Sequence, residues 1–227
     1  MFGAHLMRLL SHRGLSNQHP ENTIAAFAAA LALGFDGLET DVRLSADGEA
    51  ILYHDRLSPT GQAVARLTRT ELSHQAGYIV PTLNEALDAF PAAFWNIELK
   101  TPACMPNVTA TIRDIQYKTP ILLSSFCHHL IHEAANTLDV YCALLLSHRP
   151  ASLNTLIEGA IHNPRLRTLV WDYDFLDPDF LLAASQLGFS HYVYGAKNQN
   201  EHDWCSEFGI DGLITDYPNM VGLARGD

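Results

Sequence analysis

The sequence carries little positive charge. Of its 227 residues, 14 are lysine or arginine and 25 are aspartate or glutamate, which gives a formal net charge of −11. Proteins that bind nucleic acid attract its phosphates with clustered basic residues. The charge balance therefore argues against nucleic acid as a partner of this chain.

Long apolar runs are also missing. The longest apolar stretches in the N-terminal part cover residues 6–10 and 24–33, and both are shorter than the ~20 residues that a membrane-spanning helix needs. We find no basic segment that is followed by an apolar core and a small-residue cleavage site. We therefore expect neither a transmembrane segment nor a signal peptide.

Cysteine is scarce and irregularly placed. The four cysteines form no CxxC pair, which argues against zinc knuckles and dithiol redox motifs; they are Cys104, Cys127, Cys142 and Cys205. We expect reduced thiols in a cytoplasmic protein. The chain also lacks Gly/Ser-rich linkers and internal repeats, so we expect one domain over residues 1–227. The sequence leaves the oligomeric state open.

Short β-rich segments alternate with helical ones along the chain, which predicts a parallel sheet covered by helices. Strands are predicted at residues 6–11, 37–43, 50–54, 94–99, 121–125, 141–146, 168–172, 191–195 and 212–215. Helices are predicted at residues 23–33, 83–90, 108–117, 130–138, 153–161, 178–187 and 201–208. The first helix has Asn22 or Thr23 as its N-cap and Gly34 as its stop signal.

The third predicted strand cannot be a parallel strand of the same barrel. Only six residues separate it from the second strand, and they include the hairpin signal Asp47-Gly48. We interpret residues 50–54 as an antiparallel return arm. The other eight strands then predict an α/β fold of the (β/α)₈ barrel type. An open doubly wound sheet is the alternative, but no GxGxxG or GxxxxGK[ST] loop follows a strand.

Three acidic residues are predicted to point into the barrel mouth, the end where the strands' carboxyl termini meet. Because side chains alternate along a strand, Glu39 and Asp41 share one face, and Glu98 shares a face with Lys100. Two like charges about 4 Å apart repel by about 4 kcal/mol at an effective dielectric near 20. A cation could relieve this repulsion, and oxygen ligands favour Mg²⁺ or Ca²⁺. Alternatively, the carboxylates are ordinary surface groups at strand ends.

Two histidines are expected beside these carboxylates. If Asp47-Gly48 forms a two-residue loop, Ala46 pairs with Glu49 and Asp41 pairs with His54, whereas a slip of one residue would turn His54 away. His12 ends the neighbouring strand. Imidazoles suit acid–base chemistry near neutral pH, although either histidine could be purely structural.

Arg13 and Lys100 are the basic residues that we place at this mouth. The fork of an arginine matches the oxygens of a phosphate group. An arginine, a lysine and a divalent cation together describe a site for one phosphate group. Lys100 could instead be a solvated residue after its strand.

The order of these motifs resembles the glycerophosphodiester phosphodiesterases. The matching segments are His12-Arg13-Gly14, Pro20-Glu21-Asn22-Thr23, Glu39-x-Asp41, Asp47-Gly48, His54-Asp55, Ile97-Glu98-Leu99-Lys100, Ser124-Ser125-Phe126 and the closing run from Gly209 to Pro218. The resemblance covers nearly the whole chain, and HRG, PENT, ExD, HD and ELK in one order form a far more specific signal than any single motif.

The resemblance implies a catalytic (β/α)₈ barrel of the type also known from phosphatidylinositol phospholipase C. It implies metal-dependent hydrolysis of glycerophosphodiesters to an alcohol and sn-glycerol 3-phosphate, and a role in lipid and glycerol metabolism. The residue roles that it implies are a divalent cation held by Glu39, Asp41 and Glu98, an acid–base pair formed by His12 and His54, phosphate binding by Arg13 and Lys100, and support from Glu21.

The chain departs from the family pattern at two places. The family usually carries Trp-Thr-Val-Asn on the penultimate strand, where this chain has Tyr194-Gly195-Ala196-Lys197. We expect Tyr194 to form an altered wall for the substrate. Residues 56–80 are shorter than the insertion of many relatives, and we expect them to cover the mouth.

Two other enzymatic functions and one non-enzymatic function remain as alternatives. The same metal site could serve a lysophospholipase D, with Trp171, Tyr173 and Phe175 contributing to a groove for an acyl chain; alternatively, these aromatic residues pack the rim of the barrel. The barrel could also bind a phosphorylated ligand without cleaving it. A metal-dependent amidohydrolase agrees less well, because the first strand ends in His-Arg without the paired histidine ligands common in such sites.

Overall fold

The computed structural model describes residues 7–114 and 119–217. Eight parallel strands form a closed barrel, because β1 pairs with β2 on one side and with β9 on the other. The strands are β1 Arg8–His12, β2 Gly37–Leu44, β3 Ala50–Leu52, β4 Phe94–Leu99, β5 Ile121–Ser125, β6 Tyr141–Leu146, β7 Leu166–Asp172, β8 Ser190–Tyr194 and β9 Gly212–Thr215. The barrel prediction is confirmed, and the open doubly wound sheet is excluded.

Helices follow the parallel strands and cover the outside of the barrel. They are α1 Ile24–Leu33, α2 Arg69–Ala76, α3 Leu83–Ala89, α4 Met105–Asp114, α5 His128–Thr137, α6 Leu153–Ile157, α7 Pro178–Gln186 and α8 Gln199–Phe208. Thr23 caps α1 through its side chain, and Gly34 ends it in the left-handed conformation. Within the described ranges, no helix is long and apolar enough to cross a membrane. Residue 6 of the first predicted strand and residues 115–117 of the third predicted helix lie outside those ranges.

Helix α2 was not predicted from the sequence. Its apolar residues are few, and Leu72 is its buried side chain. The helix begins instead with a capping box, in which Thr68 accepts from the backbone of Glu71 and the Glu71 carboxylate accepts from the backbone of Thr68. The T-x-x-E spacing is therefore the signal that periodicity alone did not supply.

The strands divide their side chains between two layers. Outward-facing residues of β2 and β4 pack with the helices in the larger core, among them Leu38, Val42, Trp95, Ile97 and Leu99. Inward-facing residues form a second cluster inside the barrel, which comprises Leu10, Leu122, Ala143, Leu145, Val170, Tyr192 and Ile214. This division confirms the predicted alternation, because the apolar alternates of β2 and β4 face the helices.

The N-terminal end of the barrel interior is closed by an arginine and two aromatic rings. The guanidinium of Arg8 lies 4.2 Å from the ring centroid of Phe94, and it donates a hydrogen bond of 2.8 Å to the Tyr192 hydroxyl. Phe94 and Tyr192 stack with centroids 6.4 Å apart. We call Arg8, Phe94, Tyr192 and Leu122 the floor of the barrel; all four line one hollow at this end.

The return arm β3 has a different register from the predicted one. Ser45 donates its backbone N–H to Glu49 O at 3.1 Å, which leaves three residues in the loop, and Gly48 takes a φ of 80°. This is the three-residue hairpin with a glycine in the left-handed conformation. The predicted pairing of Ala46 with Glu49 is therefore wrong.

The change of register also removes the predicted pairing of Asp41 with His54. The backbone N–H of Tyr53 donates to Asp41 O at 3.0 Å, so Tyr53 lies opposite Asp41. The arm ends at Leu52, two residues before the predicted end. The position of His54 is thus determined by the loop after β3 rather than by cross-strand pairing.

Residues 56–80 do not cover the mouth as expected. Val64, Leu67, Leu72 and Val80 pack with Ile51 of β3 in a separate small core. The described lining of the cavity at the mouth includes no residue of this segment. The segment therefore supports the return arm.

Candidate active site

Three carboxylates converge at the mouth of the barrel. Glu39 and Asp41 project inward from β2, and Asp41 lies beside Glu98 of β4 in the strand register. One ligand oxygen from each lies within 4.8 Å of the other two. The residues are 3%, 0% and 8% exposed, so the alternative that they are surface groups is wrong. The sheet geometry has placed three acidic side chains in one buried cluster.

Burial and mutual proximity shift the pKa values of these three carboxyl groups. Burial raises the pKa of Glu39 to about 8, and the charge of Asp41 acts in the same direction. Burial also raises the pKa of Glu98, although Lys100 opposes it. Asp41 differs: burial would raise its pKa, but Arg13 and Lys100 outweigh burial and lower it. One carboxylate thus stays ionised while its neighbours resist ionisation.

Two basic side chains neutralise part of the cluster. Lys100 Nζ lies 2.7 Å from Glu98 Oε1 and 3.2 Å from Asp41 Oδ1. Arg13 Nε lies 3.0 Å from Asp41 Oδ2, and Arg13 Nη1 donates to Glu21 Oε2 at 3.1 Å. The predicted neighbourhood of Arg13, Lys100 and the carboxylates is present. Glu21 holds the far side of the arginine fork.

The donor set fits a hard divalent cation. All three carboxylates supply oxygen, the ligand type that Mg²⁺ and Ca²⁺ prefer. Asp41 Oδ1 is buried and makes no hydrogen bond of acceptable geometry to any residue that the structure describes, although Lys100 Nζ lies 3.2 Å away. If all three carboxylates are ionised, their charge exceeds that of Arg13 and Lys100 by one, and a bound metal ion would favour that ionised state.

His12 is oriented by a carboxylate from the far end of the chain. Its Nδ1 lies 2.8 Å from Asp216 Oδ1, and its Nε2 lies 3.9 Å from Glu39 Oε2. An ionised carboxylate only accepts, so Nδ1 carries the proton in that bond. Burial lowers the pKa of His12, but the hydrogen bond with Asp216 and the charge of Glu39 raise it further than burial lowers it.

His54 is held by a carboxylate in the same way. Its Nδ1 lies 2.9 Å from Asp55 Oδ1, and its backbone carbonyl accepts from Arg43 Nε at 2.8 Å. Both histidines line one cavity. Each therefore holds Nδ1 in a bond with a carboxylate and leaves Nε2 for other partners.

The loop after β1 contains unusual backbone conformations. Arg13 and Asn22 have φ values of 59° and 58°, a region that residues other than glycine seldom adopt. At Gly14, a Cβ atom would lie 2.7 Å from the backbone and the Cβ of Ala26. Only glycine permits this contact with α1. The two residues before it contact different carboxylates of the cluster, His12 facing Glu39 and Arg13 facing Asp41.

Sequence reasoning missed two residues of the site. Asn22 was considered only as a helix cap, but its Nδ2 donates to Asp41 Oδ2 at 3.0 Å and its Oδ1 accepts from Thr40 Oγ1 at 2.7 Å. Asp216 was noted only within the closing motif. Both residues stand in motifs of the family pattern. The sequence therefore shows their side-chain chemistry but not which residues they contact.

The cavity at the mouth has a volume of about 160 Å³. Its lining is His12, Arg13, Glu39, His54, Asn96, Glu98, Lys100, Ser124, Phe126, Leu145, Tyr194 and Ile214. Tyr194 lies in this wall as expected, and its hydroxyl donates to Leu146 O at 3.1 Å. A larger hollow of about 370 Å³ lies beside Ile121 and Tyr141, at the opposite end of the strands. We assign the site to the smaller cavity because it contains the charged groups.

The aromatic groove suggested by the sequence is not formed as expected. Trp171 is fully buried, and its Nε1 donates to His191 Nδ1 at 3.1 Å. Tyr173 packs edge-on against Trp204 with centroids 6.1 Å apart. Phe175 is 43% exposed. Trp171 therefore packs between the barrel and the helices and is not available to the suggested groove.

The comparisons with known proteins agree on one family. The model of the glycerophosphoryl diester phosphodiesterase family matches residues 12–220. A glycerophosphodiester phosphodiesterase of Caldanaerobacter subterraneus is 25% identical over 246 residues, which cover 96% of this chain and 97% of that protein. One of Bacillus altitudinis is 27% identical over 246 residues, with 97% and 98% covered.

Solved structures with this fold carry the same description. A glycerophosphodiester phosphodiesterase of Thermotoga maritima aligns with a TM-score of 0.85 at 24% identity, covering 98% of this chain and all of that one. An Oleispira antarctica phosphodiesterase, solved with the product sn-glycerol-3-phosphate, aligns with a TM-score of 0.83 at 23% identity, with 98% of each chain covered. At these identities the likeness establishes the fold.

Proposed function

Because this chain belongs to the glycerophosphoryl diester phosphodiesterase family, we propose that it hydrolyses glycerophosphodiesters to an alcohol and sn-glycerol 3-phosphate. The observation that supports this proposal best is the buried cluster of Glu39, Asp41 and Glu98, flanked by two histidines that line the same cavity. The cluster offers a place for a cation, and the histidines offer proton transfer on either side.

The three carboxylates are the proposed ligands of one divalent cation, Mg²⁺ or Ca²⁺. Such an ion, when bound, polarises a phosphodiester and lowers the pKa of a neighbouring hydroxyl. The carboxylates in turn fix where it can bind, since they come from adjacent strands of a rigid barrel. Asn22 holds Asp41 in place through a 3.0 Å hydrogen bond.

His12 and His54 are the proposed acid–base pair. With Nδ1 held by Asp216 or Asp55, each imidazole can accept or donate a proton at Nε2. One would take the proton of the attacking hydroxyl, either that of a water or the 2-hydroxyl of the glycerol, and the other would protonate the leaving alkoxide. Attack by the glycerol hydroxyl would give a cyclic phosphate that water then opens.

Arg13 and Lys100 are proposed to bind the phosphate. Arginine has five N–H donors and lysine three, and the pairings described above use only part of each set. The remaining donors can reach phosphate oxygens. Glu21 would steady Arg13 in this role, and Tyr194 would limit the size of the group beside it.

A metal-dependent assay tests this function. The purified protein is stripped with a chelator, supplied with Mg²⁺ or Ca²⁺, and given glycerophosphocholine, glycerophosphoethanolamine and glycerophosphoglycerol. We expect release of sn-glycerol 3-phosphate that depends on the added ion. Failure to release it from any of these substrates, with either ion, would contradict the proposal and favour a barrel that binds a phosphorylated ligand without cleaving it.

One observation favours a second candidate, a lysophospholipase D that uses the same cluster. Phe126 lines the cavity and is 43% exposed, so it could contact an acyl chain. Turnover of glycerophosphocholine and lysophosphatidylcholine would be compared with wild-type protein and Phe126→Ala. A preference for the lysophospholipid that disappears in the variant would favour this candidate over the first.

A further inference from the structure

Two buried polar side chains of the cavity have no role in the chemistry described above. Asn96 is 1% exposed and Ser124 is 0% exposed, and both line the cavity. Asn96 Oδ1 and Ser124 Oγ have no hydrogen-bond partner among residues 7–114 and 119–217. An unpaired buried polar atom costs about 1–3 kcal/mol. Two such atoms facing one cavity indicate a ligand that can pair with both.

The neighbouring serine shows that this feature is specific. Ser125 is also buried, but its Oγ donates to Leu99 O at 2.6 Å and accepts from the backbone N–H of Cys127 at 3.0 Å. Because side chains alternate on β5, Ser125 faces the helices while Ser124 faces the cavity. The two adjacent serines thus have the same chemistry and opposite surroundings.

The chemistry of the two atoms limits what can bind there. The amide oxygen of Asn96 accepts hydrogen bonds, and the hydroxyl of Ser124 can donate or accept. A phosphate oxygen offers no proton to the amide oxygen of Asn96. Lys100, which is proposed to bind the phosphate, lies four residues further along the chain from Asn96, past the end of β4. An alcohol can donate to Asn96 while it accepts from Ser124. A neutral hydroxyl is therefore the partner that satisfies both atoms.

The rest of the wall suits the carbon atoms that carry such a hydroxyl. Leu145 and Ile214 line the same cavity and belong to the apolar cluster inside the barrel. Polar neutral groups beside apolar ones match a short polyol, which presents hydroxyls on one side and C–H groups on another.

We propose that Asn96 and Ser124 bind a hydroxyl of the glycerol moiety and make the site selective for glycerol phosphates over alkyl phosphates. This inference rests on the proposed function. It assigns the inner part of the cavity to the glycerol, so that the leaving alcohol lies toward the exposed Phe126.

Binding of two product-like ligands tests the proposal without requiring turnover. The probes are sn-glycerol 3-phosphate and propyl phosphate, which has the same phosphate and three carbons but no hydroxyl. Their dissociation constants are measured by calorimetry at one fixed concentration of Mg²⁺ or Ca²⁺. We expect the wild-type protein to prefer glycerol phosphate at least about tenfold, the effect of roughly one good hydrogen bond.

The variants are Ser124→Ala and Asn96→Leu, with Ser125→Ala as the matched control. Ser124→Ala and Asn96→Leu should each reduce the preference severalfold. Each variant should bind sn-glycerol 3-phosphate more weakly than wild type and bind propyl phosphate with the same dissociation constant. Ser125→Ala should keep the preference but lower the melting midpoint by about 2–4 °C, since it breaks two internal hydrogen bonds. Ser124→Ala should not lower the midpoint, because its hydroxyl has no internal partner to lose.

Three results would overturn the inference. The preference could be the same in Ser124→Ala, Asn96→Leu and wild type while glycerophosphodiesters are still hydrolysed, which leaves the proposed function intact. The variants could weaken binding of the divalent cation, measured separately by calorimetry, and leave the preference unchanged, which would assign the two residues to the cation. Absence of both hydrolysis and glycerol phosphate binding would reject the proposed function together with this inference.

Discussion

The floor and the mouth of the barrel lie at opposite ends of the same strands, and each contains arginine. At the floor, Arg8 lies over Phe94 and donates to the Tyr192 hydroxyl, and both of these partners are neutral. At the mouth, Arg13 ion-pairs with Asp41 within a cluster that holds more acid than base. One end has paired its polar groups internally, and the other keeps charge and unpaired atoms inside a cavity.

Because of this difference, one end of the strands stabilises the fold and the other end holds the candidate site. Apolar contacts and satisfied hydrogen bonds at the floor lower the free energy of the folded state. The mouth has two residues with positive φ and several unpaired buried atoms, which raise it. Substitutions at the mouth should therefore affect turnover, and substitutions at the floor should affect stability.

The largest expected effect is at the mouth. His12→Ala and His54→Ala should each lower turnover of a glycerophosphodiester by about two to four orders of magnitude, because each removes a proposed proton-transfer group. The free energy of unfolding, measured in urea, should change by about 1 kcal/mol or less. His74→Ala, an exposed position on α2, is the control and should change neither. Near-normal turnover of one histidine variant would remove that residue from the acid–base pair.

Acid should destabilise the fold through a histidine on the outer face of β8, at the level of the floor. Burial lowers the pKa of His191 to about 4, and the indole N–H of Trp171 donates to its Nδ1. In the unfolded chain this histidine titrates near 6.5. The unfolded state therefore binds more protons between about pH 6.5 and pH 4, and stability falls by about 3 kcal/mol across that window.

Urea unfolding of wild type and His191→Gln at pH 7, 5 and 4 measures this contribution. The variant starts less stable at pH 7 but should lose less stability on acidification, and the difference isolates His191 from the titrating groups of the mouth. Parallel losses in the two proteins would assign the acid sensitivity to the mouth instead.

A cavity in the apolar interior of the barrel, between the floor and the mouth, should reduce stability without affecting turnover. Val170 is fully buried inside the barrel. Val170→Ala removes two buried carbon atoms and leaves a cavity, which together should lower the free energy of unfolding by about 2 kcal/mol. Turnover measured below the melting transition should equal that of wild type. Leu187→Ala, at a position 41% exposed, should change stability by about 0.5 kcal/mol or less. A drop in turnover for Val170→Ala would show that the interior and the mouth are coupled.

The smallest expected effect is the loss of one hydrogen bond at the floor. Tyr192→Phe keeps the ring stacked on Phe94 and removes the acceptor for Arg8. Stability should fall by about 1 kcal/mol, with turnover unchanged. Equal stability of Tyr192→Phe and wild type would mean that Arg8 is held by the aromatic ring alone.

The fold and the inward direction of the acidic residues could be predicted because they depend on local patterns. Alternation along β2 and β4 assigned Glu39, Asp41 and Glu98 to the inside from a few neighbouring residues each. The closed barrel then brought them together, since strands of this fold end at one mouth. Local periodicity and a fold rule were sufficient for these positions.

Other features depend on details that periodicity does not contain. The register of the hairpin depends on whether its loop holds two or three residues. Because the loop holds three, Tyr53 lies opposite Asp41 where the sequence predicted His54. The contact of His12 with Asp216 joins residues 204 positions apart. The sequence left open whether Trp171 lines a groove or packs the rim, because its position alone does not show that its indole donates to His191 between the barrel and the helices.

The same bond between His12 and Asp216 links the first parallel strand to the residue that follows the last one. The carboxylate that orients His12 is therefore in place only when β9 has joined the barrel. A fragment that ends before Asp216 would contain every proposed metal ligand and still lack this partner. Under the proposed function, turnover would thus report that the barrel has closed.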